Sequence, residues 1–376
     1  MKYALCTIVK NEEKMIEGFI LNVQKFFDEI VIVDTGSEDS TIEIIKKNGI
    51  EPIIYNNNKF SYSQARNYGI NTVNADWIFL LDADERITED YFNTAIKLLE
   101  KMQCDVLCSW RYDYLKSGEW GGNFSPRIIR NYKNINFVGD ILEFPASKTN
   151  DDILIIDSTE VQIHHFGNLK EEKFLQSKYL RYEKEVSNLI NNTADKRKIS
   201  KYMLFLSSIN YCLGNKKTSL NIINSCIDKG ELDSWSRRKM AGDILRLNGL
   251  DTEAIEQYKA SLSYTDDKNK LAITNDLIGV SSMNKGSFEE SIAYFNTAIE
   301  SFGIMPHRFV LLGLAQLSLD LCDDAIYNIN KGLAQNPYFK HMTHDSLQHN
   351  YIYDTPKDYC SLIKSIVPDL SCWKEV

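Results

Sequence analysis

In the stretch WIFLLDADERI, Trp77 to Ile87, an apolar run that reads as a buried strand ends in three carboxylates, Asp82, Asp84 and Glu85. Negative charge clustered at the end of such a strand costs stability unless something offsets it. A divalent cation would do so. Hard oxygen ligands suit Mg2+ or Mn2+, and magnesium is commonly held by one or two carboxylates, with phosphate oxygens supplying the rest. Alone, Asp-x-Asp is weak, because acidic residues after a strand are also common turn formers. It gains weight from Asn11 and Asp34, which also follow apolar, β-branched runs.

The elements that position these residues alternate. Up to about residue 166, YALCTIV, EIVIVDTG, EPIIY and DWIFLLDAD read as strands, with helices over about Glu13 to Phe27 and Ser40 to Asn48. Strands separated by helices of this length imply βαβ units and a parallel sheet. Residues at the carboxyl ends of parallel strands line the crevice where open α/β sheets bind ligands. Asn11, Asp34 and the Asp82 to Glu85 cluster are therefore expected at one edge.

From about residue 168 the chain turns helical and repetitive. Ser219-Leu220, Ala254-Ile255, Ser291-Ile292 and Ala325-Ile326 recur at intervals of 35, 37 and 34 residues. Ser207, Gly242, Gly279 and Gly313 precede them by 12 positions, and Cys226, Ser261, Ala298 and Gly332 follow by seven. Small residues at fixed offsets let paired helices approach closely, and a period near 34 is that of the tetratricopeptide repeat. Four degenerate repeats are expected over 199–337, ending at Pro337, with a capping segment over 338–376. The first domain is expected over 1–166, extending to about 195.

Composition narrows the function. The 376 residues are 43% hydrophobic and carry a net charge of −9. Nucleic-acid binders usually present a basic face, so that class is disfavoured. No apolar run approaches the roughly 18 residues of a membrane span, and MKYALCTIVKNEE reaches charge too soon for a signal peptide. A cytoplasmic location is expected. The 8 cysteines are scattered, and Cys104 and Cys108 fit neither a zinc ribbon nor a redox CxxC. They read as reduced structural thiols.

The ordered set TIVKNEE, VIVDTGSEDST, FSYSQARNYG and DWIFLLDADE resembles the inverting, nucleotide-sugar-dependent glycosyltransferases of family 2, over about residues 1 to 166. The resemblance implies a GT-A (Rossmann-like) domain that uses a UDP-sugar donor with Mg2+ or Mn2+. By that resemblance Thr7, Val9, Asn11, Glu12 and Asp34 hold the donor nucleoside, Asp34 by accepting from the base or a ribose hydroxyl. A helix cap is the competing role for Asp34, although Ser37 or Asp39 could serve there equally well. Arg66 approaches the donor diphosphate or base, and Asn67 supports its loop. Asp84 binds the metal, Asp82 contacts ribose or metal, and Glu85 orients its neighbours or bridges to Arg86.

Downstream, PRIIRNYKNINFVGDILEFP resembles the acceptor side of a subgroup containing lipopolysaccharide-core glucosyltransferases and bacteriocin glycosyltransferases of the sublancin type. That subgroup usually has His-Glu where this chain has Leu142-Glu143. The histidine is missing, but an inverting displacement needs a base near the acceptor, and Glu143 can provide it; Asp140 competes for the role. QIHHFGN matches a further segment through His165 and Gly167, making His165 a metal or phosphate ligand, with His164 on the opposite face. The combination with helical repeats implies transfer of a hexose to a Cys or Ser/Thr side chain of a peptide gripped by the repeats. The repeats could instead pair two copies of the chain. Transfer to a lipid-linked or cell-surface glycan is the first rival, and a non-catalytic scaffold the second.

Overall fold

The computed structural model describes residues 1–56, 61–114, 120–131, 134–139, 143–149, 152–169, 172–302 and 305–336. By its internal contacts the chain divides into two units: Met1–Asp113 with Gly122–Gly167, and Tyr114–Gly121 with the described residues from Asn168 onward.

The first unit alternates strand and helix as its sequence pattern predicts: β1 (Tyr3–Val9), α1 (Ile16–Val23), β2 (Glu29–Asp34), α2 (Thr41–Lys47), β3 (Ile53–Ile54), α3 (Tyr62–Ile70) and β4 (Trp77–Leu80). Next come β5 (Glu85–Arg86), α4 (Glu89–Lys101), β6 (Val106–Tyr114), β7 (Trp120–Arg130), β8 (Ile135–Val138), β9 (Phe144–Ser147) and β10 (Ile155–His165). Eight of the strands form one sheet in the order β3-β2-β1-β4-β7-β6-β10-β5, and β8 pairs with β9 apart from it. β1 lies parallel to β2 and β4, and β7 runs antiparallel to β4. The chain winds from β1 outward to β3 and then returns to β4 on the other side of β1. Such a reversal opens a crevice beyond the carboxyl ends of β1 and β4.

Both faces of the sheet are buried, so β1 and β4 read as nearly continuous apolar runs. Leu5, Val9, Ile32, Phe79 and Ile163 share one core with α1 and α4, whereas Ala4, Cys6, Val33, Ile78 and Ile129 share the other. Gly69 seats α3 on the second face: a Cβ there would lie 2.6 Å from Cys6 Sγ and 2.8 Å from Val33 Cγ2. α1 is shorter than the predicted Glu13 to Phe27, because Glu12 O accepts from Met15 and Ile16 in an entry turn. Beyond Val23, Phe26 and Phe27 leave the helix to pack edge-on and tilted against Phe79 and Phe92.

The first helix of the second unit is α5 (Glu172–Asn191), which groups with the repeats. Four helical hairpins follow: α6 (Lys196–Cys212) with α7 (Lys216–Asp228), α8 (Trp235–Leu247) with α9 (Asp251–Ser261), α10 (Lys268–Asn284) with α11 (Phe288–Phe302), and α12 (Pro306–Leu317) with α13 (Cys322–Gln335). The small residues sit where the paired helices touch. A Cβ on Gly242 would lie 2.4 Å from the Tyr258 ring, and one on Gly279 would lie 2.8 Å from Phe295. In the first hairpin Ser207 donates to Ser219 O at 2.7 Å, filling the same gap with a hydrogen bond. This is a tetratricopeptide-like arrangement. Among the described residues no helix is long and apolar enough to cross a membrane, and Cys6, Cys104, Cys108, Cys212, Cys226 and Cys322 are free thiols. Pro337 and the segment 338–376 lie outside the described residues.

Candidate active site

Two loops leave the carboxyl ends of β1 and β2 and are stapled together. Asn11, held at φ 55°, donates its backbone N–H to Ser37 Oγ at 2.9 Å, and its side-chain Oδ1 accepts from Glu38 N at 2.8 Å. Glu12 N donates to Thr41 Oγ1 at 2.7 Å. Asn11 and Glu12 therefore shape the loops through these bonds. Val9 is part of the core, and its carbonyl accepts from both the backbone and the hydroxyl of Thr35.

Asp34 is fully buried, and its Oδ1 accepts from Gly36 N and Ser37 N, each at 2.9 Å. It forms the turn itself, so Ser37 is free to accept from Asn11. Asp39 satisfies the start of α2, its Oδ1 accepting from Thr41 N at 3.0 Å. The second oxygen of Asp34 is buried without a hydrogen-bond partner, as is Thr7 Oγ1 on the neighbouring strand. Both can accept from an N–H or O–H of a bound molecule.

Arg66 projects from α3, whose N-terminus is capped by Ser61. Its Nε and Nη2 donate to Glu143 Oε1 at 2.9 and 2.7 Å, and Nη2 lies 3.4 Å from Asp82 Oδ1. Burial would lower the guanidinium pKa, but Glu143 and Asp82 outweigh it and keep the group charged. Arg66 Nη1 and Glu143 Oε2 are buried without partners. Asn67 supports this corner by exchanging two hydrogen bonds with the backbone of Phe137, at 2.8 and 2.7 Å. Asp140 and Leu142 lie outside the described residues.

The carboxylates after β4 are held by an arginine that the sequence pattern does not single out. Arg127 Nη2, from β7, donates to Asp82 Oδ2 and Glu85 Oε1, both at 2.7 Å. Glu85 Oε2 accepts from Asp82 N at 3.0 Å, closing the turn. Burial raises the Asp82 pKa, but Arg127 and then Arg66 overcome it, holding this carboxylate well below the usual range. Glu85 is thus held by Arg127, with Arg111 Nη1 3.8 Å away, while the Arg86 guanidinium donates to the carbonyls of Met15, Ala83 and Glu85.

Pairing of β5 with β10 brings the two distant motifs together, with Glu85 opposite His165 and Arg86 opposite His164. His165 Nε2 lies 3.5 Å from Asp84 Oδ1, and its Nδ1 lies 2.5 Å from Asp113 Oδ1. Burial lowers the imidazole pKa, but Asp84 and Asp113 on either side raise it by more. His164 faces the opposite way, stacked on Tyr112, and burial depresses its pKa to about 3. Gly167 leaves the gap beside Asp84 and His165 open: a Cβ there would come within 2.4 Å of Asp84 Oδ2 and 2.5 Å of His165 Nε2.

A carboxylate oxygen and an imidazole nitrogen facing one small cradle are a fitting donor pair for Mg2+ or Mn2+. Among the described residues no group of three or more His, Cys, Asp or Glu side chains surrounds a common point. A cation here would take its remaining ligands from phosphate or water, as magnesium commonly does. Sequence reasoning missed Arg127, Arg111, Asp113 and Asn123. Only Arg111 and Asp113 left a trace, as charged residues alternating with Trp110, Tyr112 and Tyr114.

Residues 4–154 match the profile described as Glycosyl transferase family 2. A TPR repeat-containing protein of Synechococcus elongatus is 28% identical over 134 residues, 36% of this chain and 33% of that protein. The SPbeta prophage-derived glycosyltransferase SunS of Bacillus subtilis is 28% identical over 178 residues, 46% of this chain and 41% of SunS. The chain thus spans 33% to 41% of the length of these relatives. Among solved structures, glucosyl-3-phosphoglycerate synthase from Mycobacterium tuberculosis with Mg2+ and UDP is similar at a TM-score of 0.27 and 16% identity, covering 29% of this chain and 43% of that one. The family 2 glycosyltransferase match thus falls on the α/β part of the chain, and tetratricopeptide-like helical repeats follow it.

Proposed function

We propose that this protein is an inverting glycosyltransferase that moves a hexose from a UDP-sugar to a Cys or Ser/Thr side chain of a peptide, in the cytoplasm. The observation that carries this reading is a set of buried, partnerless polar atoms in this site, among them Thr7 Oγ1, Asp34 Oδ2, Arg66 Nη1 and Glu143 Oε2. Buried polar groups are nearly always satisfied, so such a set asks for a ligand rich in donors and acceptors. A nucleoside diphosphate sugar has both. Thr7 and Asp34 would take the nucleoside, Arg66 Nη1 the diphosphate, and Asp82 the ribose. Asp84 and His165 would hold the cation, whose charge offsets that of the leaving diphosphate.

Glu143 takes the role of base. Arg66 fixes one of its oxygens, leaving Oε2 to accept the proton as the acceptor sulfur or oxygen attacks the anomeric carbon. The bond from that carbon to the diphosphate breaks, UDP leaves with the electron pair, and the configuration inverts. The peptide acceptor is supported by the paired-helix repeats, an architecture suited to gripping extended or helical segments, and by the likeness to SunS. Pairing of two copies through the repeats is the competing role for the second unit.

The test incubates the full chain with a panel of nucleotide sugars, Mg2+ or Mn2+, and Cys- or Ser-containing peptides, read by mass spectrometry. The expected result is a UDP-sugar-dependent gain of one hexose on peptide, falling roughly 10²-fold or more in Glu143→Gln. Transfer to lipid-linked glycan with none to any peptide would overturn the acceptor reading.

A further inference from the structure

The candidate cation pair has a support behind it. Asp113, on β6, is 8% exposed, and each of its oxygens is engaged twice. Oδ1 lies 2.5 Å from His165 Nδ1 and 3.1 Å from Arg111 Nε. Oδ2 accepts from Arg111 Nη2 at 3.2 Å and from Asn123 Nδ2 at 3.0 Å. Asn123 is oriented in turn, its Oδ1 accepting from Ser125 Oγ at 3.0 Å. With Arg111 beside both oxygens and Asn123 donating to Oδ2, the Asp113 carboxylate is held as an acceptor at its contact with His165. The short contact therefore takes its proton from His165 Nδ1, so that the nitrogen available to a cation beside Asp84, in the gap that Gly167 leaves open, is Nε2.

Register creates this geometry. β10 runs parallel to β6 with His165 beside Asp113, but only after an irregularity between Ser158 and Gln162 has shifted the pairing. The result is a carboxylate, an imidazole and a second carboxylate in line. Histidines that ligate metals depend on such an outer partner for tautomer, orientation and basicity.

We propose that Asp113 is a positioning residue, which holds His165 in the Nδ1–H tautomer with Nε2 presented beside Asp84 and so sets the affinity of the site for a divalent cation. The proposal rests on the reading of Asp84 and His165 as cation ligands. The competing role is structural, with Asp113 serving only as a counter-ion for Arg111.

Two measurements on the full chain separate these. The first is the tautomer of neutral His165, read by 15N NMR in the absence of metal at the alkaline end of a pH titration. In Asp113→Asn the amide can donate to Nδ1, which moves the ring proton to Nε2. The second is a Mn2+ titration followed by electron paramagnetic resonance with UDP present, where Asp113→Asn should weaken binding about 10- to 100-fold. If Asp113→Asn does not fold, Asn123→Ala carries the test, since it removes one hydrogen bond and leaves both charges in place. A shifted tautomer ratio with weaker Mn2+ binding supports the proposal. An unchanged tautomer and unchanged Mn2+ affinity, with wild type binding Mn2+, overturns the role of Asp113 alone. Failure of the wild type to bind Mn2+ overturns the cation reading beneath it.

Discussion

At Asp34 one carboxylate oxygen shapes the turn after β2 while the other is buried with nothing to accept from. Asp34→Asn keeps an oxygen for Gly36 and Ser37 but replaces the partnerless acceptor with a neutral amide. A hydrogen bond to a charged group contributes about 1.5–3 kcal/mol, so calorimetry should find UDP binding about 10- to 100-fold weaker, with the thermal midpoint nearly unchanged. Equal UDP affinity would remove Asp34 from the donor site. At this scale the sequence exposed the residues at strand ends, because position after a strand is a local property. It did not expose Arg127 or Asp113. Their meaning depends on strands β7 and β6 lying next to β4 and β10, which is a property of topology. Nor could it say how Asp34, Ser37 and Asp39 divide the capping work, since one loop offers several equivalent oxygens.

Among the elements, apolar β-branched runs located β1, β2 and β4, and helical patterns located α2 and the hairpins of the second unit, because burial on both sheet faces or on one helix face imposes those patterns. Strand β5, two residues long, and the shifted register of β10 left no such pattern, yet together they join Asp84 to His165. The repeats carry a further regularity. Their inner turns place Gly214, Gly249 and Gly286 at φ 81°, 81° and 77°, and the fourth places Asp320 at 58°. Left-handed backbone is unfavourable for residues with a Cβ, and Asp tolerates it only in part. Asp320→Gly should therefore stabilise the second unit by about 1 kcal/mol and raise its thermal midpoint by about 2–4 °C, read by circular dichroism. A lower midpoint would mean that the Asp320 side chain contributes something the glycine turns lack.

For the whole molecule, division into an α/β unit and a helical-repeat unit was legible because the two show different sequence patterns. The identity of the acceptor was not, since a repeat surface is defined by side chains whose ligand has no sequence signature. The central claim is that the edge formed by β1, β2 and β4 binds a nucleotide sugar with a cation at Asp84. Titration of UDP into the full chain, with and without Mn2+, tests it most directly. Wild type should bind UDP at least about 10-fold more tightly when Mn2+ is present, and Asp84→Asn should lose that increment while retaining the cation-independent affinity. No UDP binding under either condition, or an Mn2+ increment that survives in Asp84→Asn, would contradict the account.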